Sequence, residues 1–152
     1  MADVHARLAE LGIEIPPVVP PVAAYVPAVQ TGSHVYVSGQ LPMVNGALAA
    51  TGLVGAEVTA EQAKDLARRC GINILAAVEA LVGLSRVVRV VKIVGFVASA
   101  PGFTGQPGVI NGASELFGEV FGEAGQHARS AVGVPALPLN APVEIEAIVE
   151  VS

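Results

Sequence analysis

Beyond Lys92 the chain carries a single basic side chain, Arg129, in the run Ala128-Arg129-Ser130-Ala131-Val132. A guanidinium does not shed its charge, and it matches a carboxylate with two parallel hydrogen bonds. Set among small and apolar residues, it needs an acidic partner. Two kinds are open: an internal ion pair with Glu144 or Glu146, or the carboxylate of a bound ligand. The other chemistry-bearing residues form no motif. His5, His34 and His127 lack the spacing that builds a zinc site. His127, two positions before Arg129, reads as a surface loop residue. Ser38 stands in Val-Ser-Gly-Gln rather than the Gly-x-Ser-x-Gly of a nucleophile elbow, and no Ser/His/Asp triad is readable. There is no Walker A sequence and no Gly-x-Gly-x-x-Gly after a strand. These absences remove most cofactor chemistry and leave Arg129, with either kind of partner, as the one candidate; no metal and no cofactor are expected.

Composition narrows the setting. A chain of 152 residues fits one domain with a real core. Its residues are 53% hydrophobic and 14% charged, more apolar than one small domain usually hides, so neighbouring subunits are expected to bury the remainder. A net charge of −5 and an aromatic content of 4% argue against a nucleic-acid surface, which needs a basic stripe with stacking residues. The apolar run at Val87 is broken by Arg89 and Lys92, well short of the roughly 20 residues of a membrane span. Residues 1–14 show no apolar core of a signal peptide. One cysteine, Cys70, cannot form an internal disulfide and reads as helix packing in a reducing compartment. The expected localisation is cytoplasmic.

The elements that must position Arg129 follow from periodicity. Residues 3–12 read as a short helix, and Ile15 to Pro21, rich in proline, as an extended arm laid over the domain. These form an N-terminal segment, 1–21, ahead of a domain spanning 22–152. Ala23 to Gln30 and His34 to Val37 are strand candidates; Ser38-Gly39-Gln40 interrupts the second, and Asn45-Gly46 is a hairpin turn. Ala60 to Val82 is the best helix, opened by a Thr59/Gln62 capping box and striped by Ala63, Ala67, Cys70, Ile74 and Val78. Val87 to Val97 reads as a central strand. Pro107 to Phe121 reads as a second helix, whose Gly108, Gly112 and Gly118 weaken it unless they admit a close neighbour. Val143 to Val151 alternates cleanly and is the clearest strand. The order implies an α+β fold, a mixed sheet with two helices on one face. The other face is left for neighbouring subunits.

Several segments, in order and spacing, carry a resemblance: Tyr25, Val37-Ser38-Gly39-Gln40-Leu41-Pro42, Asn111, Ala128-Arg129-Ser130, Leu137-Pro138 and Val143-Glu144-Ile145-Glu146-Ala147-Ile148. Together they resemble the Rid/YjgF family over roughly residues 22–151, in a divergent branch with an N-terminal extension. The resemblance implies a chorismate-mutase-like homotrimer with clefts between subunits. It also implies cofactor-independent hydrolysis of reactive 2-imino or enamine acids to 2-oxo acids and ammonia. On that basis Arg129 grips the substrate carboxylate and Glu144 positions or activates the attacking water. Tyr25, Ser38, Gly39 and Asn111 line the pocket. The residue after Arg-Ser, commonly cysteine in the deaminase branch, is Ala131 here; it retains a backbone carbonyl but no thiol. Two other readings stand beside the deaminase: a non-catalytic binder of a small carboxylate metabolite, and an endoribonuclease of the L-PSP type.

Overall fold

The apolar stripe of the long helix organises the rest of the chain. In the computed structural model, which describes residues 3–152, helix α2 spans Ala60–Leu81 and opens on the expected capping box. Thr59 Oγ1 accepts from the Gln62 N–H at 3.1 Å, and Gln62 Oε1 accepts from the Thr59 N–H at 2.9 Å. Ala63, Ala67, Cys70, Ile74 and Val78 all turn inward. Helix α3 (Gln106–Phe121) packs beside it through Val109, Ala113, Leu116 and Phe117. The two backbones meet at Gly112, where a Cβ would stand 2.0 Å from the Lys64 carbonyl oxygen. Gly108 and Gly118 have no such neighbour. Only one of the three helix glycines therefore serves close approach. The short helix α1 (Val4–Glu10) buries Val4 and Leu8 and joins the same layer. It is tied by His5 to Glu79 and by the Arg7 Nε–H to the Glu119 carbonyl. Ile13, Ile15 and Val18 then lay the proline-rich arm against the core.

The helices cover one face of a five-stranded mixed sheet. Its strands are β1 (Ala28–Thr31), β2 (His34–Gln40), β5 (Val87–Ala98), β6 (Ala128–Val134) and β7 (Val143–Val151), in the spatial order β1-β2-β7-β5-β6. Only β5 and β6 run parallel, joined over the sheet by α3 as a βαβ unit. Alternation in β7 reads out directly, with Val143, Ile145, Ala147, Val149 and Val151 buried towards the helices. The small strands β3 (Met43–Val44) and β4 (Ala47–Leu48) form the hairpin around Asn45-Gly46, both at positive φ, 52° and 82°. This is the α+β fold expected from the sequence, with a third helix beside the other two.

Two strand readings change. The first strand begins at Ala28 rather than Ala23, because Pro27 has no N–H to give a ladder. Residues 22–25 bend instead, and Ser38 fastens the two that follow: its N–H donates to the Pro27 carbonyl at 2.8 Å and its hydroxyl to the Val26 carbonyl at 2.7 Å. β2 is not broken at Gly39; it continues to Gln40 with a register shift between Val37 and Gln40. Asn73, fully buried on α2, holds the loop that follows by donating to the Leu41 and Met43 carbonyls. Arg69 donates to the same Met43 carbonyl. Among the described residues, no helix is long and apolar enough to cross a membrane.

Candidate small-molecule site

Register decides which site residues can meet. Arg129 sits opposite Ile93 on β5, and Ile93 opposite Ala147 on β7. Ile93 and Ala147 are both buried under the helices, so Arg129 projects on the helix side of the sheet at its β6 edge. Glu144 is opposite Phe96, and Glu146 opposite Val94, one step out of phase. Both carboxylates therefore project from the other face. Within one chain the internal ion pair open at the sequence level does not form.

Arg129 instead leans on α3. Its Nη1–H donates to Ser114 Oγ and its Nη2–H to the Pro107 carbonyl, each at 3.1 Å. A guanidinium has five N–H groups, so these two bonds leave others to face the cleft. That cleft, of about 350 Å³, is lined by Asn111, Ser114, Gln126, His127 and Arg129. Asn111 and Ser114 are three residues apart on α3 and share its face; His127, just before β6, lines the same cleft as Arg129. Ala131, the next helix-side position of β6, packs against the core.

His127 is not the bystander that its loop position suggested. Its Nδ1 lies 2.6 Å from the Gly125 carbonyl and its Nε2 2.9 Å from Ser114 Oγ. The ring meets Phe117 edge-on. The sequence offered a signal for this cluster, the matched spacings of Asn111 with Ser114 and of His127 with Arg129, but no sign that the two segments touch.

On the opposite face, a cavity of about 360 Å³ is lined by Tyr25, Gly39, Gln40, Glu144 and Glu146, by the end of the arm from Val19 to Pro21, and by Val22 and Ala23. Gly39 has a steric reason to be glycine: a Cβ there would stand 2.9 Å from the Glu144 carboxyl carbon. Tyr25 is partly exposed, and its hydroxyl accepts from the Val22 N–H at 3.3 Å. Ser38 lies one residue away but spends its hydroxyl on the Val26 carbonyl. The structure thus gathers Tyr25, Gly39 and Glu144 in one place and Asn111 and Arg129 in another.

Burial, and then the charge of Glu146, raises the Glu144 carboxyl above its ordinary range. The folded chain therefore holds that proton more tightly than the unfolded one. Stability from this group is gained as pH falls through the raised value and is complete below the unfolded value. Towards neutral pH the ionised carboxylate is a cost. Glu144→Gln is expected to raise the melting temperature at pH 7, with the gain vanishing below about pH 4. Thermal melts of both proteins across pH 3–8 check it; a pH-independent difference would contradict it. Burial likewise pushes the Cys70 thiol well up, with Glu144 adding to it, which suits packing rather than reactivity.

A family model described as "YjgF/chorismate mutase-like, putative endoribonuclease" matches residues 5–151. The chain belongs to this family. Protein TCP17 of Trypanosoma cruzi is 45% identical over 151 residues, covering 98% of this chain and 94% of that one. A 2-iminobutanoate/2-iminopropanoate deaminase of Dermatophagoides farinae is 35% identical over 129 residues, 85% of this chain and 87% of its own. Among solved structures, the protein Atu1372 of Agrobacterium tumefaciens, of unknown function, superposes with a TM-score of 0.91. It is 51% identical over 98% of this chain and 92% of its own. This YjgF-like match takes in the N-terminal helix and arm as well as the sheet.

Proposed function

We propose that the chain hydrolyses reactive 2-imino acids to 2-oxo acids and ammonia, at a cleft shared between subunits of a homotrimer. The observation that carries this reading is Arg129: a part-buried guanidinium that pairs with no carboxylate among the described residues and faces an open cleft. A 2-imino acid supplies the missing carboxylate. Its imine carbon is already electrophilic, so orienting the acid and a water is enough to accelerate attack. Glu144 serves to orient that water. Because Arg129 and Glu144 project from opposite faces of one sheet, the reading requires Arg129 and Asn111 from one subunit and Glu144, Tyr25 and Gly39 from the next.

A second reading, binding of a small carboxylate without turnover, is favoured by Ala131, which offers no thiol. Cleavage of RNA has no comparable support, since the Arg129 cleft holds one arginine and no Phe, Tyr or Trp to stack a base. The deciding experiment is a coupled assay of purified protein on 2-iminobutanoate and 2-iminopropanoate, alongside light scattering. Decay is expected to outpace buffer, with a particle of about three times the 15.3 kDa chain mass. Decay at the buffer rate, with 2-oxo acids still stabilising the fold thermally, would replace the enzyme by the binder. A fully active monomer would remove the shared cleft.

A further inference from the structure

Imine hydrolysis moves protons twice. The attacking water must lose one, and the departing nitrogen must gain one. Glu144 of the same chain lies across the sheet from Arg129, and the carboxylate of the next subunit is assigned to orienting the water. Ser114 and His127 lie directly beside Arg129. A carbonyl oxygen only accepts, so the 2.6 Å contact to Gly125 fixes the proton of a neutral His127 ring on Nδ1. Nε2 is then a bare lone pair, and the Ser114 hydroxyl donates to it at 2.9 Å. Ser114 Oγ accepts at the same time from Arg129 Nη1 at 3.1 Å. A hydroxyl has one donor and two acceptor sites. Donor and one acceptor are taken, which leaves a single lone pair for a group in the cleft.

We propose that Ser114 and His127 are the proton relay of the Arg129 site, Ser114 taking a proton from the attacking water while passing its own to His127. The proposal rests on the reading that Arg129 grips a 2-imino acid. In such an acid the imine carbon is bonded to the carboxylate carbon, so a carboxylate on Arg129 brings it next to the water that donates to Ser114 Oγ. As the water O–H proton moves to Oγ, the Ser114 proton moves to His127 Nε2. The water oxygen bonds to the imine carbon, and the C=N pair withdraws onto nitrogen, protonated from solvent. In the collapse, His127 returns its proton through Ser114 to the amino nitrogen. The C–N bond breaks with its pair on nitrogen, the carbinol O–H is lost to solvent, and the C=O forms. The sum is imine plus water giving 2-oxo acid and ammonia, with both side chains restored. The guanidinium beside Oγ makes the Ser114 O–H more acidic and so favours its half of the transfer, the hand-over to His127.

The alternative role for the pair is a passive brace that keeps Arg129 aimed. The two roles separate in steady-state kinetics on 2-iminobutanoate with the whole chain. A relay predicts that Ser114→Ala and His127→Ala each lower kcat by roughly a hundredfold, with KM within about twofold of the parent. Ser114→Thr, which keeps the hydroxyl, retains most of kcat, and imidazole in the buffer partly restores His127→Ala. Unchanged kcat with a raised KM, or no rescue by threonine and imidazole, overturns the relay. An inactive parent protein removes the deaminase reading and the relay with it, whereas an active parent with fully active variants removes the relay alone.

Discussion

Arg129→Ala is expected to lower kcat/KM for 2-imino acids by roughly a hundredfold to a thousandfold, the range for losing a charge-assisted carboxylate grip of about 3–4 kcal/mol. The fold should be barely affected. The side chain sits at the β6 edge of the sheet and bonds only Ser114 and the Pro107 carbonyl, at each of which a water can take its place. Arg129→Lys is not expected to rescue. An ammonium is a compact point charge, unable to hold Ser114 and the Pro107 carbonyl on separate nitrogens while presenting a planar fork to a ligand. Kinetics and a thermal melt on all three proteins check it. An alanine variant with parental kcat/KM, or one that fails only because it melts, would end the role assigned to Arg129.

The second large effect concerns stability. Gly112→Ala is expected to cost about 3 kcal/mol, at the upper end of ordinary overpacking, and so lower the melting temperature by roughly 10 °C. The reason is what the new methyl would meet: the Lys64 carbonyl oxygen at 2.0 Å and the Arg68 nitrogen at 3.1 Å. Both are backbone atoms of α2, so no rotamer change relieves the clash and the two helices must part. Gly108→Ala and Gly118→Ala are the built-in controls. Neither Cβ meets anything within 4 Å, and removing a helix glycine should stabilise by roughly 0.5–1 kcal/mol. Three variants with the same melting shift would mean that the helix contact does not depend on Gly112.

The fold was legible where one local signal decides one element. Thr59 and Gln62 start α2, Asn45-Gly46 turns the hairpin, and Val143 to Val151 alternates as the middle strand. The first strand is less legible: the apolar content of residues 23–30 suggests a strand from Ala23, yet Pro27, a single residue with no N–H to give, delays it to Ala28. Arg129 was legible as an isolated charge. Its partners were not, since Ser114 and Pro107 become its neighbours only when α3 folds back over β5 and β6. His127 was set aside as a surface residue for the same reason: its two hydrogen bonds both come from the α3 side, one at Ser114 and one in the turn after the helix. That Glu144 and Arg129 face opposite ways follows from counting register across three strands, and no one-dimensional pattern carries that count.

The position of β7 has a consequence for how the chain is made. It is the last strand in sequence, yet it lies at the middle of the sheet, between β2 and β5. Until residues 143–151 leave the ribosome, β1 and β2 form only a hairpin, which is marginal alone, and β5 has no antiparallel neighbour. The α2 stripe meanwhile lacks half the apolar floor it packs on. Between the emergence of β5 and that of β7, the nascent chain thus carries open edges on β2 and β5, and open strand edges invite association. Completion of the sheet is therefore late, set off by the arrival of one alternating strand.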